Sequence, residues 1–131
     1  MKKHDFGKPL CRLIMAVAMM MLSHQAMAYD FSYTHQGKTL YYNITSENTV
    51  AVTYRRPYYS SSNNYVSGDV VIPTTVIRNG TTYSVTSIGN SAFRGCSGLT
   101  SVTIPTGVTS IGKYAFRGCS GLTTLNFNAI N

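Results

Sequence analysis

Few residues in this chain could carry out acid–base or metal chemistry. His35 is the only histidine after residue 28, and it lies in a turn-like sequence, HQGK. The acids Asp30, Glu47 and Asp69 have no partner at a spacing that suggests paired acid–base work. The sequence therefore predicts no catalytic residue, no cofactor and no metal ligand, and it favours a non-enzymatic protein.

Two cysteines, Cys96 and Cys119, occupy equivalent positions in a repeated sequence. If the repeats stack roughly 4.8 Å apart, a disulfide is geometrically conceivable, because its Cα atoms usually lie about 4.4–6.8 Å apart. Stacking also brings the thiols together without any redox purpose, and buried thiols pack as small hydrophobic groups. We favour packing, and a zinc site is not supported because zinc needs about four ligands.

A tyrosine-rich segment is suited to protein contacts. Residues 55–67 read RRPYYSSSNNYVS, and Tyr and Arg are enriched at binding hot spots because they combine a large contact area with polar groups. An ordinary surface connector explains the same composition equally well. The contact residues predicted from this segment are Arg55, Arg56, Tyr58, Tyr59 and Tyr65.

Arg94 and Arg117 also recur at equivalent positions, with Lys113 nearby. They form either a positive stripe for acidic partners or a solvated outer ridge. We favour the ridge, because scattered surface charge is the norm.

These positions are set by a repeat that occurs twice. Val85–Pro105 reads VTSIGNSAFRGCSGLTSVTIP and Val108–Phe127 reads VTSIGKYAFRGCSGLTTLNF, at a constant offset of 23 residues. A period of roughly 20–29 residues with apolar residues at fixed offsets indicates a β-rich, leucine-rich-repeat solenoid. In each coil we expect a short strand and about one helical turn, which Gly95 or Gly118 ends in a left-handed conformation.

Strand alternation predicts which side chains of these coils face solvent. In Ser101–Ile104 and Thr124–Phe127 the large apolar residues point into the core. The outward positions are Ser101, Thr103, Thr124 and Asn126, which we predict as a second protein-binding set.

The residues before the repeat predict a β-rich N-terminal cap. Strand-prone runs at 30–33, 40–45 and 49–54 predict an antiparallel meander. Asn79-Gly80 between two further runs predicts a type I′ hairpin, which needs positive φ at both central residues. Val71-Ile72-Pro73 resembles Thr103-Ile104-Pro105, so the hairpin region is expected to be an irregular first coil.

The first 28 residues have the features of a secretory signal peptide. Basic residues precede the apolar run Leu13–Leu22, and Ala26-Met27-Ala28 follows as a cleavage site. The run is about half the roughly 20 residues that span a bilayer, so we expect export, to a secreted or cell-surface location, and no membrane span after signal removal.

Signal removal also changes the charge. Four of the eleven Lys and Arg residues and one of the four acids lie in this segment, which leaves seven basic residues against three acids. The seven are scattered, so a nucleic-acid partner is not expected.

The expected domains are a signal peptide (1–28), a β-rich cap with the irregular first coil (29–84), and two leucine-rich repeats (85–107 and 108–131). A solenoid usually needs at least about three repeats to bury its core. Either the N-terminal β region supplies the missing burial or the chain is a piece of a longer array, and the bare end favours the second. The open terminal strand also predicts self-association.

The recurring pattern S-I-G-x-x-A-F-x-G-C-x-G-L-T resembles the BspA-like leucine-rich repeats of bacterial surface proteins over Val85–Phe127. Gly68–Thr86 is similar to the irregular first coil of such proteins, and Tyr29–Tyr54 to their N-terminal β-segment. The resemblance implies a non-enzymatic, secreted or surface-attached protein that adheres to host proteins or other cells. Extracellular-matrix and cell-surface proteins are then the expected partners. The alternative is a structural N-terminal cap, or a truncated fragment of a larger surface protein with no activity alone.

Overall fold

The computed structural model describes residues 28–56 and 65–128, which form nine β-strands and contain no helix. The predicted signal peptide (apart from Ala28), Tyr58 and Tyr59 lie outside the described residues. The strands are β1 (Phe31–His35), β2 (Lys38–Ile44), β3 (Thr49–Thr53), β4 (Gly68–Val71), β5 (Thr75–Arg78), β6 (Thr81–Ile88), β7 (Leu99–Ile104), β8 (Ser110–Ile111) and β9 (Thr124–Phe127).

The N-terminal strands form the antiparallel meander that the sequence predicts. β1 pairs with β2 and β2 with β3, both antiparallel. Gln36 and Gly37 connect β1 to β2 with φ of 51° and 78°, so His35 is the last residue of a strand and the turn begins after it. Asn79 and Gly80 have φ of 50° and 81° between the antiparallel strands β5 and β6, which confirms the predicted type I′ turn.

Two sheets form the solenoid, and the chain passes from the first sheet to the second three times. The first sheet has the order β1-β2-β3-β6-β5, with β8 also paired to β6, and the second has the order β4-β7-β9. β3, β6 and β8 pair in parallel, as do β4, β7 and β9. We call the three passes coil 1 (residues 49–71), coil 2 (81–104) and coil 3 (110–127).

Coil 1 is the irregular one. Val52 of β3 pairs with Ile88 of β6, and Val70 of β4 pairs with Val102 of β7. The first coil therefore begins at β3, before the Gly68 that the sequence suggested. Coils 2 and 3 are in strict register, since Ser101 pairs with Thr124, 23 positions further along the chain.

The segment between the two sheets is a run of turns, where the sequence suggested one helical turn. The Phe93 N–H donates to the Ala115 carbonyl of the next coil at 2.7 Å, whereas the Ala92 N–H donates to Gly89 within its own coil at 3.2 Å. A helix would need successive N–H groups to bond within the segment. The expected helical turn does not form because alternate amides are used to join the coils.

Glycines close these turns and let the coils stack. Gly95 and Gly118 both have φ of 78°, the left-handed conformation expected of them. At Gly112, an added Cβ would lie 2.5 Å from the Asn90 backbone nitrogen. No larger residue fits there without pushing coil 3 away from coil 2.

The core lies between the sheets and is filled mainly from β2 and from coils 1 and 2, while coil 3 contributes the buried Ala115. The largest fully buried side chains are Tyr42, Phe93, Leu40, Ile72, Ile88, Leu99, Ile104, Val50, Val52, Val70, Val76 and Val85. The predicted inward positions Val102 and Ile104 are buried. In coil 3 the equivalent Leu125 and Phe127 are 38% and 59% exposed. Coil 3 covers coil 2, and no described residue covers coil 3 in the same way.

At the opposite end of the solenoid, two further strands extend the first sheet. β2 occupies the free edge of β3, and β1 occupies the edge of β2. The first sheet curls far enough for Phe31 of β1 to contact Tyr83 of β6 (ring centroids 6.0 Å apart), with the Arg78 guanidinium 5.4 Å from the Phe31 ring. The end beside coil 1 is thus covered in the first sheet, whereas β4 is the edge strand of the second sheet.

Candidate protein-binding surface

The outward face of the second sheet carries two rows of side chains in register across β4, β7 and β9. One row is Asp69, Ser101 and Thr124, and the other is Val71, Thr103 and Asn126. Adjacent strands lie about 4.8 Å apart, so the residues of a row are direct neighbours. The predicted set Ser101, Thr103, Thr124 and Asn126 is therefore assembled on one face, interleaved with core residues. Ser101 and Thr103 are half-buried, and Thr124 and Asn126 are exposed.

Asp69 supplies the negative charge of this face. Its Oδ1 accepts hydrogen bonds from the Ser101 hydroxyl at 2.8 Å and from the Thr100 hydroxyl at 2.9 Å. These bonds, with the positive charge of Lys38, hold the pKa of the Asp69 carboxyl below its usual value. The carboxylate fixes the rotamers of the two hydroxyls, which orders the edge of the face.

Asp69 was not among the predicted site residues, although the sequence carried the signal. Aligning Val71-Ile72-Pro73 with Thr103-Ile104-Pro105 places Asp69 opposite Ser101, which is the pairing observed. Two residues of similarity were enough to predict a coil. They were too few to suggest a shared binding face.

The tyrosine-rich segment divides into residues with different roles. Arg55 and Arg56 are exposed directly after β3, on the connection that leads from the first sheet to the second in coil 1. Tyr65 is half-buried, and its ring stacks on Phe93 with centroids 6.2 Å apart and an interplanar angle of 17°. Phe93 stacks in turn on Phe116 at 5.4 Å and 4°. We call Tyr65, Phe93 and Phe116 the aromatic ladder.

Tyr65 thus fills, in coil 1, the place that phenylalanine fills in the regular coils. Its hydroxyl donates to the Ala92 carbonyl at 3.1 Å and to the Thr53 carbonyl at 3.4 Å, which ties two coils together. Burial raises the pKa of the Tyr65 hydroxyl well above its usual value. These contacts give Tyr65 a role in packing the coils together.

A cluster of cations surrounds one exposed aromatic ring on the connection of coil 3. Tyr114 is 51% exposed. The side-chain charges nearest to its centroid are those of Arg117 at 5.2 Å, Arg94 at 5.7 Å and Lys113 at 6.0 Å. The two arginines and the lysine noted in the sequence therefore converge at one point. Tyr114, which the sequence did not single out, lies at its centre.

Cys96 and Cys119 do not form a disulfide, and Cys96 is buried while Cys119 is half-buried. The Cys119 thiol donates to the Phe93 carbonyl at 3.0 Å. Burial, assisted by Cys96, raises the pKa of the Cys119 thiol to about 11. The pair behaves as packed thiols that link adjacent coils.

The part of the chain that the structure describes contains neither a metal-ligand cluster nor a membrane-spanning helix. Within residues 28–56 and 65–128, no three His, Cys, Asp or Glu side chains come together as metal ligands. Over the same residues, no helix has the length and hydropathy needed to cross a membrane.

Known proteins resemble this chain in both sequence pattern and fold. Residues 72–131 match a family described as "BspA type Leucine rich repeat region (6 copies)". A leucine-rich repeat protein from Bacteroides ovatus is 36% identical, with a TM-score of 0.60 over 75% of this chain and 23% of that protein. A leucine rich cell surface protein from Faecalibacterium prausnitzii is 27% identical, with a TM-score of 0.57 over 76% of this chain and 24% of that protein.

A third structure, a leucine-rich repeat protein from Bacteroides capillosus, is 29% identical, with a TM-score of 0.54 over 75% of this chain and 66% of that protein. The chain spans about a quarter of the length of the first two proteins. No curated protein matches the chain.

Proposed function

Because residues 72–131 belong to the BspA-type leucine-rich-repeat family, we propose that the chain is an exported, non-enzymatic module that binds proteins. Its partners would be extracellular-matrix or cell-surface proteins, in the manner of an adhesin. The observation that carries the proposal is the outward face of the second sheet, where two rows of mostly short polar side chains lie in register. A similar protein is a leucine rich cell surface protein, which supports a location outside the cell.

The polar face suits protein recognition for a physical reason. Its side chains are ordered by the strand register, so little conformational entropy is lost when a partner docks. Hydroxyl and amide groups can donate and accept hydrogen bonds, and one carboxylate adds charge. Arg55 and Arg56, with Tyr58 and Tyr59 of the same segment, are the proposed second contact. Tyr65 itself packs against Phe93 of coil 2.

Binding to a panel of purified extracellular-matrix proteins tests the proposal. Thr103→Arg places a long charged side chain in the middle of the outward face, and we expect it to weaken any observed binding at least about tenfold. Thr82→Arg is the matched control, because Thr82 is exposed on β6 within the hairpin, away from this face. An Arg55→Ala/Arg56→Ala variant tests the second contact in the same assay.

The outcomes separate the two contacts. If Thr103→Arg and Thr82→Arg bind equally well, the sheet face is not the binding site. If the Arg55→Ala/Arg56→Ala variant also binds normally, both proposed contacts are wrong.

A structural role is the second candidate, and the exposed apolar end of coil 3 favours it. Ile111, Leu125 and Phe127 are exposed there, next to the free edges of β8 and β9. Such an end packs readily against another apolar surface, which includes a second copy of this chain.

A further inference from the structure

The residues just before β1 are bound to β2 through both backbone and side chains. The Asp30 N–H donates to the Tyr42 carbonyl at 2.9 Å, and the Asp30 carboxylate accepts from the Ile44 N–H at 2.7 Å. The Asn43 side chain donates from Nδ2 to the Ala28 carbonyl at 3.4 Å. The contacts between β1 and β2 therefore continue three residues beyond the start of β1.

Tyr29, which lies between these two residues, is held by its ring. The Tyr29 ring lies against the ring of Tyr41 on β2, with centroids 4.5 Å apart and planes inclined at 55°. Aromatic pairs in such geometries contribute more than their buried area alone. Ala28 and Tyr29 are both half-buried. The peptide bond that joins them is thus flanked by contacts with β2 on both sides.

The same peptide bond is the one that the sequence predicts to be cleaved. Ala26-Met27-Ala28 matches the small-residue site at which a signal peptide ends. Cleavage there would break the bond between Ala28 and Tyr29. A predicted processing site and a set of tertiary contacts therefore fall on the same two residues.

Cleavage and these contacts exclude each other. A peptidase must direct its own hydrogen-bond donors at the carbonyl oxygen of the bond that it cuts, and it binds the substrate as an extended segment. In the folded chain the Ala28 carbonyl accepts from Asn43, and Asp30 is paired with β2. The segment must leave β2 before a peptidase can bind it, so a folded precursor is cut only during local opening.

We propose that the bond between Ala28 and Tyr29 is a processing site that is cut while the chain is unfolded, because folding shields it against β2. Asn43 and Tyr41 are the shielding residues. The step is a hydrolysis, in which the hydroxyl of water adds to the Ala28 carbonyl carbon as the C–N bond breaks. The proton goes to the Tyr29 nitrogen, which becomes the new amino terminus.

The inference rests on the proposed function in one respect, namely that the chain is exported with a cleavable signal peptide. It involves neither the outward face of the second sheet nor the Arg55-Arg56 contact. A chain that folds before processing would keep its signal peptide.

The order in which reagents are mixed tests the inference on the full chain of 131 residues. The precursor is unfolded in urea and diluted into detergent micelles, with a purified signal peptidase either present from the start or added after folding is complete. In the first case mass spectrometry should show Tyr29 as the new amino terminus. In the second case the initial cleavage rate should be at least about tenfold lower, because only the opened fraction is a substrate.

Two asparagine variants separate the shielding contact from the rest of the fold. Asn43→Ala removes the hydrogen bond to the Ala28 carbonyl, and it should raise the cleavage rate of the folded precursor about threefold. Asn48→Ala is the matched control, because its side chain accepts a similar hydrogen bond, at 3.3 Å from Ser46, in the turn between β2 and β3. It should change that rate less than about 1.5-fold. Thermal unfolding shows whether each variant is folded.

Three outcomes would overturn the inference. Equal rates with peptidase added before and after folding would show that folding does not shield the bond. Equal rates for the folded Asn43→Ala and Asn48→Ala precursors would show that β2 does not provide the shield. In both cases the proposed function is unaffected. If even the unfolded precursor is not cut between Ala28 and Tyr29, the bond is not a processing site, and the predicted export with a cleavable signal peptide fails as well.

Discussion

Tyr114 has a left-handed backbone, with φ of 61°. Ser91, its equivalent in coil 2, has φ of 60°, so the turn demands this conformation at both places. A bulky side chain is rare there, and the conformation costs a non-glycine residue about 1–3 kcal/mol. An exposed tyrosine with this backbone conformation therefore adds little to the stability of the protein.

We therefore expect Tyr114→Asn to stabilise the protein. Asparagine tolerates the left-handed region, and the exposed ring contributes little packing, so the free energy of unfolding should rise by about 0.5–1 kcal/mol. Urea denaturation measures the change. Tyr33→Asn, in the extended strand β1, should lower the free energy of unfolding. A loss of stability in Tyr114→Asn would contradict the strain argument.

The Cys119 thiol should react slowly and resist ionisation. Its pKa is raised from 9.0 to about 11, so at pH 8 the thiolate fraction falls roughly a hundredfold and alkylation by iodoacetamide slows accordingly. A Cys96→Ala variant allows alkylation of Cys119 to be measured without a contribution from the other cysteine. Unfolding in urea should restore the ordinary alkylation rate of an exposed thiol. Equal rates in the folded and unfolded protein would show that the thiol is not protected.

The same shift has a consequence for stability. Folding favours the protonated Cys119, so this contribution is fully present below pH 9 and is lost as the pH rises from about 9 to about 11. The free energy of unfolding should fall over that window, and less steeply in a Cys119→Ala variant.

At the scale of the elements, the aromatic ladder joins the three coils. Stacking runs from Tyr65 through Phe93 to Phe116, and Tyr41 of β2 meets Tyr65 edge-on at 5.2 Å and 82°. The ladder thus continues from the meander into the repeats. It anchors coil 1, which has no phenylalanine of its own, to the regular coils.

We expect Phe93→Ala to be among the most destabilising single changes. Phe93 is fully buried in the middle of the ladder, and a Phe→Ala cavity in a core costs about 3–5 kcal/mol. Phe127→Ala removes an equal side chain that is mostly exposed and should cost less than about 1 kcal/mol. Chemical denaturation compares the two variants. Similar losses would mean that the ladder does not hold the coils together.

At the scale of the whole molecule, the two ends differ in what they expose. Strands β1 and β2 occupy the edge beside coil 1. Coil 3 presents Ile111, Leu125 and Phe127 with 42%, 38% and 59% of their surface exposed. Two copies that meet through their coil 3 ends would form a closed pair.

Sedimentation velocity over a range of concentrations tests this self-association. We expect a dimer that Leu125→Lys/Phe127→Lys disrupts, because two charges at the contact oppose its burial. Ile77→Lys is the control, since Ile77 is exposed on β5 in the N-terminal half. A protein that stays monomeric at every concentration would argue against the structural candidate.

The sequence by itself determined the features that depend on local periodicity and turn chemistry. Alternating apolar residues predicted the strands, and Asn79-Gly80 predicted the hairpin turn, because both are decided by neighbours along the chain. The offset between the two repeats predicted which side chains share a row on the second sheet. It also placed Arg94 and Arg117 together.

Only the tertiary structure decided which segments stack. Coil 1 begins at β3, and Tyr65 takes the position of a phenylalanine in the aromatic ladder. The stacked coils accept a side chain of the right shape at that position, whatever the sequence around it. The helical turn gave way to inter-coil hydrogen bonds for the same reason, as an amide bonds to the nearest carbonyl in space. The approach of Arg94 to the Tyr114 ring of the next coil is likewise a product of stacking.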